Sequence, residues 1–389
     1  MRKFKLNQLL SIKNGRDHKE LNSGNIPIYG SGGIMRYGNK AIYNHESILL
    51  PRKGTLANIQ YVNKPFWTVD TIYYSIVNKE LAHPFYLFNF LKLLDLSKLN
   101  TGTGVPSMTF DSYYNLDIYL PELSIQQKIA SVLSALDAKI ELNNRINAEL
   151  EKMAKTLYDY WFVQFDFPDC NGKPYKSSGG KMIWNEELKR QIPEGWEVGN
   201  LFSSKYTKIV PTGVEKFQDE KIYLSTSEVE NNQIINHSIK TDYLNRKSRA
   251  NMQPKPKTIW FARMKDTKKI IFVDDYCKEL IENYIFSTGF AGIETKNESF
   301  YFLWLYINSQ DFEDIKNKFA TGTTQKSITN EGIEKIKILI PNPNILNLFG
   351  NKLKNIYKNI HKNNQQNQTL AELRDWLLPM LMNGQISIN

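Results

Sequence analysis

Two long stretches of this 389-residue chain carry the same helical stripe at a constant offset of 220 positions, and that repeat constrains the fold more than any other feature. In the first copy Ile125, Ile129, Leu133, Leu136, Ile140, Leu150, Met153, Leu157 and Trp161 recur mostly at steps of three and four. The second copy has Ile345, Phe349, Leu353, Ile356, Ile360, Leu370, Leu373, Leu377 and Leu381 at the matching places. A stripe this narrow, held over about five heptads, predicts a coiled-coil seam rather than the apolar face of a surface helix. At 1.5 Å per residue each helix would be about 55–65 Å long. Asn143 and Asn147 interrupt the first stripe, and Asn363 and Asn367 interrupt the second at the same points. In an antiparallel pair those polar layers meet at mid-seam. A buried asparagine there lowers stability and sets register, because a slip would leave its amide facing hydrocarbon.

The repeat begins before the helices. Residues 101–109 read TGTGVPSMT and residues 321–329 read TGTTQKSIT, again 220 apart. Each loop is followed by a short β-rich run, NLDIYLP or IKILIP, ending at Pro121 or Pro341 where a helix can start. Farther upstream the two halves agree only weakly. IPIYGSGG, from Ile26, loosely matches IYLSTSEV, from Ile222; SILLPRKGT, from Ser47, matches TIWFARMKDT, from Thr258. FYLFNFL and FYFLWLY both predict a buried helix. The expected organisation is therefore a domain over 1–120, a helix over 121–165, a Gly/Pro/Lys-rich linker over 166–195, a second domain over 196–340, and a second helix with its tail over 341–384. The fold class is α+β: two α/β domains joined by two long helices in an antiparallel coiled coil, with an internal pseudo-twofold repeat.

Fifty Lys and Arg against 40 Asp and Glu give a net charge of +10. The first 120 residues carry +6 of it, while the +2 of residues 196–340 hides a cluster between Lys240 and Lys269. That cluster holds Lys240, Arg246, Lys247, Arg249, Lys255, Lys257, Arg263, Lys265, Lys268 and Lys269 against Asp242 and Asp266. It suits a polyanion such as DNA, or is an ordinary solvated loop. The basic N-terminus lacks the apolar core of a signal peptide, and no apolar run nears the roughly 20 residues of a membrane span, so a cytoplasmic protein without membrane association is expected. Cys170 and Cys277 form neither a disulfide framework nor a metal spacing, and the five histidines are scattered, so no metal or cofactor is expected. Pro168-Asp169 with Glu187-Leu188-Lys189 imitates a nuclease pattern but falls in the linker. The chain has no GxxxxGKS/T loop, no HExxH and no amino-methyltransferase tetrapeptide, so no catalysis of its own is expected.

The two TGT loops, the helix LSIQQKIASVLSALDAKIELNNRINAELEKMAKTLYDYWFVQF, the IPEGWE that opens the second half and the tail LRDWLLPMLMNGQI together form a specific set. In these the chain resembles the specificity subunits of type I DNA restriction-modification enzymes over essentially its whole length. The resemblance implies two target-recognition domains, each reading one half of a bipartite sequence in double-stranded DNA. It implies helices that set the gap and dock two methyltransferase subunits, to which restriction-translocase subunits add. An asymmetric site needs two unlike readers, and small residues let backbone approach phosphate or base edges. The expected DNA-facing residues are Gly30, Ser31, Arg52, Lys53, Thr101, Gly102, Thr103 and Ser107 in the first half. In the second they are Ser225, Thr226, Arg263, Lys265, Thr321, Gly322, Thr323, Gln325, Lys326 and Ser327. Tight turns with hydroxyl caps are the plain alternative for the loops, and a coiled-coil protein scaffold is the alternative for the whole chain.

Overall fold

The computed structural model describes residues 1–96, 106–202, 204–386 and 388. Its longest elements are helices Leu123–Tyr158 and Pro343–Met382, of 36 and 40 residues, or about 54 and 60 Å. A π-helical turn, Asp159–Val163, ends the first. The chain divides into two units: residues 1–144 with 365–389, and residues 145–364. Each unit therefore owns the start of one long helix and the end of the other.

The heptad is present, but not every stripe residue fills it. Ile125, Met153 and Leu373 are 45%, 58% and 41% exposed, whereas their neighbours Gln126 and Ala154 are fully buried. Taking Gln126 and Ala154 makes the step pattern strictly alternate three and four, from 126 through 129, 133, 136, 140, 143, 147, 150, 154 and 157 to 161. Hydrophobicity misled the reading at these points because a small or polar residue holds the seam. Gln126 earns its burial by donating to the carbonyls of Leu81 and Pro121 and accepting from the His83 N–H. In the second helix Leu346 is the buried counterpart of Gln126, and Arg374, the counterpart of Ala154, donates to Asp137 at 2.8 Å.

The asparagines lie in the seam. In the first unit Asn143, 1% exposed, donates to Gln366 at 2.8 Å and to Asn367 at 2.9 Å, while Asn367 donates to Asn144 at 2.8 Å. In the second unit Asn147 donates to Asn364 and Asn363 donates to Asn147, both at 2.8 Å. Within each unit the partners run antiparallel. Because the buried Asn143 donates to the half-buried Asn367 as well as to the exposed Gln366, Asn143→Leu alone should destabilise by about 0.5–1.5 kcal/mol, the net contribution of a lost hydrogen bond. Asn143→Leu with Gln366→Leu and Asn367→Leu should recover that loss, read as the denaturant midpoint.

The two units share a strand order that their sequences barely disclose. In the first, a sheet runs Leu10–Lys13, Ile72–Val77, Ser47–Pro51, Gln60–Val62. In the second, the order Thr207–Ile209, Phe290–Thr295, Thr258–Ala262, Ile270–Val273 repeats it. The central strands, SILLP and TIWFA, are buried at every position, as continuous apolar runs should be. A second sheet in each unit contains a parallel pair: Ile26–Gly30 with Trp67–Thr68, and Lys221–Leu224 with Tyr284–Ser287. The first strand of each domain also pairs with the strand that leads into its long helix: Arg2–Lys5 with Asp117–Leu120, and Glu197–Asn200 with Lys337–Ile340. The two expected buried helices are Pro84–Lys92, with proline at its start, and Phe300–Ile307.

Each unit closes one core over its share of the helices. In the first, Ile129, Leu133, Leu381 and Met382 join Leu50, Tyr86 and Tyr113. In the second, Trp161, Phe162, Phe349 and Leu353 join Phe261, Phe302 and Trp196. Phe162 meets Phe302 at 4.6 Å and Phe349 at 4.8 Å between ring centroids. The linker forms a hairpin, Met182–Asn185 with Arg190–Pro193. Its nuclease-like carboxylates are engaged locally: Asp169 accepts from the N–H groups of Asn171 and Lys173, and Glu187 pairs with Lys337. Among the described residues no helix is long and apolar enough to cross a membrane.

Candidate nucleic-acid interface

The basic loop after the central strand and the end of the repeated small-residue loop are separate in sequence, but the structure binds them together in both units. In the first, the Met108 N–H donates to the Arg52 carbonyl at 2.9 Å and the Gly54 N–H to the Pro106 carbonyl at 3.0 Å. In the second, the Ile328 N–H donates to the Arg263 carbonyl at 2.9 Å and the Lys265 N–H to the Lys326 carbonyl at 3.0 Å. Lys53 bridges Ser107 as Met264 bridges Ser327. The same ladder is thus built twice. It makes Arg52 and Arg263 counterparts, and likewise Gly54 and Lys265, and Pro106 and Lys326.

The last threonine of each loop has a structural reason to recur. Thr109 caps helix Phe110–Tyr114 by accepting from the Ser112 N–H, and Thr329 caps Asn330–Glu334 by accepting from Gly332. Such a cap stabilises a helix by about 1 kcal/mol. Thr101, Gly102 and Thr103 lie outside the described residues. Their counterparts form a tight hairpin in which Thr321 and Ser327 exchange backbone hydrogen bonds of 3.0 and 2.9 Å. Thr321, Gly322, Thr323, Gln325 and Lys326 are all exposed, as a surface that meets a partner must be. Gly322, at φ +126°, would put a side-chain carbon 2.8 Å from the Gln325 carbonyl oxygen, so glycine is required there.

The turn containing Gly30 and Ser31 joins the first site. Asn58 donates to the Ser31 carbonyl at 2.7 Å and Gln60 to that of Gly30 at 3.2 Å. Gly54 faces the same turn: a Cβ on it would lie 3.2 Å from the Ser31 hydroxyl. In the second unit Ser225 is occupied as the cap of a short helical turn, and the Thr226 carbonyl accepts from Lys269 at 2.7 Å. Thr226 also lies 3.2 Å from where Gly289 would carry a Cβ, and the Gly289 carbonyl accepts from the Arg263 N–H at 2.9 Å.

The two arginines differ in their surroundings. Arg52 is half-buried beside the Tyr73 ring and makes one 3.3 Å bond to the Asp70 carbonyl. Arg263 donates to the carbonyls of Phe290 and Ile328, both at 3.3 Å, and to Asn330 at 2.8 Å. Burial lowers its pKa below the usual arginine value. The guanidinium of Arg263 therefore works as a clamp on its own loops, which leaves the exposed Lys326 as an outward charge beside it, while Lys265 is half-buried and 3.9 Å from Asp266.

The basic cluster is likewise partly spent inside the fold. Lys257 pairs with Asp275 at 2.7 Å, Lys268 donates to the Asn308 carbonyl at 2.7 Å, and Arg246 stacks on Tyr243. Arg249 and Lys255 remain exposed, together with Leu244 at 89% exposure. Sequence reading missed Asn58 and Gln60, which lack any motif. It also missed Lys316, a buried residue on helix Gln310–Lys318 whose ammonium donates to the carbonyls of Ala262 at 3.3 Å and Thr267 at 2.9 Å, holding both ends of the Arg263 loop. Helical spacing to Glu313, its partner at 2.9 Å, was the only available signal.

Comparison with known proteins agrees with this duplicated architecture. The family model described as "Type I restriction modification DNA specificity domain" matches residues 1–152 and 193–372. The MjaIX specificity subunit of Methanocaldococcus jannaschii is 25% identical over 359 residues, covering 89% of this chain and 79% of that protein. The HindI specificity subunit of Haemophilus influenzae is 24% identical over 361 residues, covering 75% and 73%. Among solved structures, the type I restriction-modification S subunit of M. genitalium superposes with a TM-score of 0.61 at 15% identity, covering 98% of this chain and 95% of that one. Matched over residues 1–152 and again over 193–372, the chain belongs to the type I restriction-modification DNA specificity family.

Proposed function

We propose that this protein is the sequence-reading subunit of a type I restriction-modification complex, with one half of a bipartite DNA site read by each unit. The observation that carries the reading is the ladder between the Arg loop and the TGT loop, built identically in two domains whose other loops differ. A shared scaffold with divergent exposed tips is what two unlike readers require. Gln325 and Lys326 stand where the first loop has Val105 and Pro106, so the halves differ at the tip. Polar Gln and Lys can address base edges or phosphate.

The helices serve in this reading as the spacer and as the dock for methyltransferase subunits. Apolar side chains outside the seam support a docking role: Leu142 and Trp376 in the first unit are 40% and 54% exposed, and Ile146 and Met153 in the second are 41% and 58% exposed. Methylation and cleavage then belong to the partner subunits, two of methylation and those of restriction-translocation. The test is an exchange of residues 1–120 for the equivalent domain of another family member. One half of the methylated sequence should change while the other half is kept. A change in both halves would contradict the one-domain, one-half assignment.

A further inference from the structure

The second unit gathers Asp274, Cys277 and His361 from three elements: the end of strand Ile270–Val273, the residue before helix Lys278–Asn283, and the long helix Pro343–Met382. Among the described residues these form the only group of three or more His, Cys, Asp or Glu side chains placed to hold a metal together, with ligand atoms all within 4.8 Å of one another. His361 Nε2 lies 3.1 Å from an Asp274 oxygen and 4.0 Å from the Cys277 sulfur, which is itself 3.4 Å from the other Asp274 oxygen.

Two arrangements put these residue types together. In a nucleophile relay the thiol and the carboxylate engage opposite nitrogens of the imidazole. Here both approach the same nitrogen, Nε2, so a relay is excluded by geometry. Convergence on one point is instead what ligands of a common ion do. With Zn–S of 2.3 Å and Zn–N and Zn–O near 2.0–2.2 Å, a tetrahedral face has edges of about 3.3–3.6 Å. The thiol and the imidazole meet different Asp274 oxygens, at contacts of 3.1 to 4.0 Å that bracket this range, so small side-chain shifts would bring one oxygen, the sulfur and Nε2 around an ion.

The surroundings fit a ligand shell. The Tyr276 N–H orients the Asp274 carboxylate at 2.9 Å, and the Phe272 and Tyr276 rings flank His361 at 5.8 and 5.6 Å. Orientation of this kind from the surrounding groups is typical of metal-binding side chains. Asp274 is fully buried while His361 keeps 26% exposure, so an ion can enter and retain a water as its fourth ligand. The mixed sulfur, nitrogen and oxygen set selects zinc over calcium or magnesium.

We propose that Asp274, Cys277 and His361 bind one zinc ion that staples the central sheet of the second recognition domain to the long helix. The thiol gives its proton to solvent on binding, and no redox change is involved. The staple would fix the orientation of that domain's sheet on its helix.

Full-length protein freed of metal with a chelator would be titrated with cobalt(II), then with zinc. One equivalent of cobalt should bind with a thiolate-to-cobalt charge-transfer band, and one equivalent of zinc should displace it. Cys277→Ser should abolish the band, His361→Ala should weaken binding at least tenfold, and Cys170→Ser should leave both unchanged. Absence of the band in folded wild-type protein, judged by circular dichroism, would overturn the proposal even if a variant failed to fold. Survival of the band in Cys277→Ser would overturn it equally, assigning the ion to Cys170.

Discussion

Replacing Lys316 with methionine is expected to destabilise the protein by about 3–5 kcal/mol, the cost of leaving one member of a buried ion pair without its partner. The side chains of Lys316 and Glu313 are 1% and 9% exposed and 2.9 Å apart. Burial pulls the Lys316 pKa down, and the Glu313 carboxylate opposes that shift. The charge is kept in the interior because its remaining donors satisfy the carbonyls of Ala262 and Thr267, on either side of the Arg263 loop. Glu313→Gln combined with Lys316→Met should recover part of the stability, because no ion is then stranded, yet the loop carbonyls stay unpaired. Denaturant midpoints for the single and double variants check the first point. Under the two-reader account, methylation at the half-site of the second unit should suffer in both variants, while binding determinants of the first half are kept.

Raising salt from 50 to 200 mM should weaken DNA binding by the assembled complex by about 10³–10⁵-fold if about 6–10 phosphates are neutralised. The net charge of +10 makes such a footprint attainable, but several of the clustered cations are already paired or bonded within the second unit. Exposed residues such as Lys53, Arg249, Lys255 and Lys326 should therefore carry much of the slope. Neutralising any one of them should reduce the slope by about one unit without changing which sequence is chosen. A hydrophobic protein scaffold would show little salt response, so a flat titration would favour that alternative.

Much of this architecture is visible in the sequence because helices and caps write their periodicity locally. The stripe at steps of three and four identified both long helices, and the 220-residue offset exposed their duplication. Residues whose role depends on partners distant in the chain were less visible. Gln126 holds a seam position through hydrogen bonds to residues 81, 83 and 121, which no hydrophobic pattern can disclose, while Ile125 beside it faces out. Arg263 looked like a surface base-reader because it follows an apolar strand, yet its donors are taken by residues 290, 328 and 330. The common strand order of the two units was hidden for a related reason. Sheet topology requires only alternation and burial, so side chains can diverge while the pairing remains.

The asparagine layers show the same limit at finer scale. Their polar character in the seam could be read directly, but the number of partners could not. A lone Asn→Leu change, by seam hydrophobicity alone, should stabilise. With Gln366 and Asn367 both accepting from Asn143, it should instead destabilise until those partners are replaced.

The most direct measurement is base-resolution mapping of DNA methylation in cells that carry the partner subunits, with this gene intact and deleted. The account predicts a split motif, two specific halves around a fixed gap, that disappears on deletion and returns with the restored gene. In an active locus, a methylation pattern indifferent to the deletion would contradict the assignment of sequence choice to this chain.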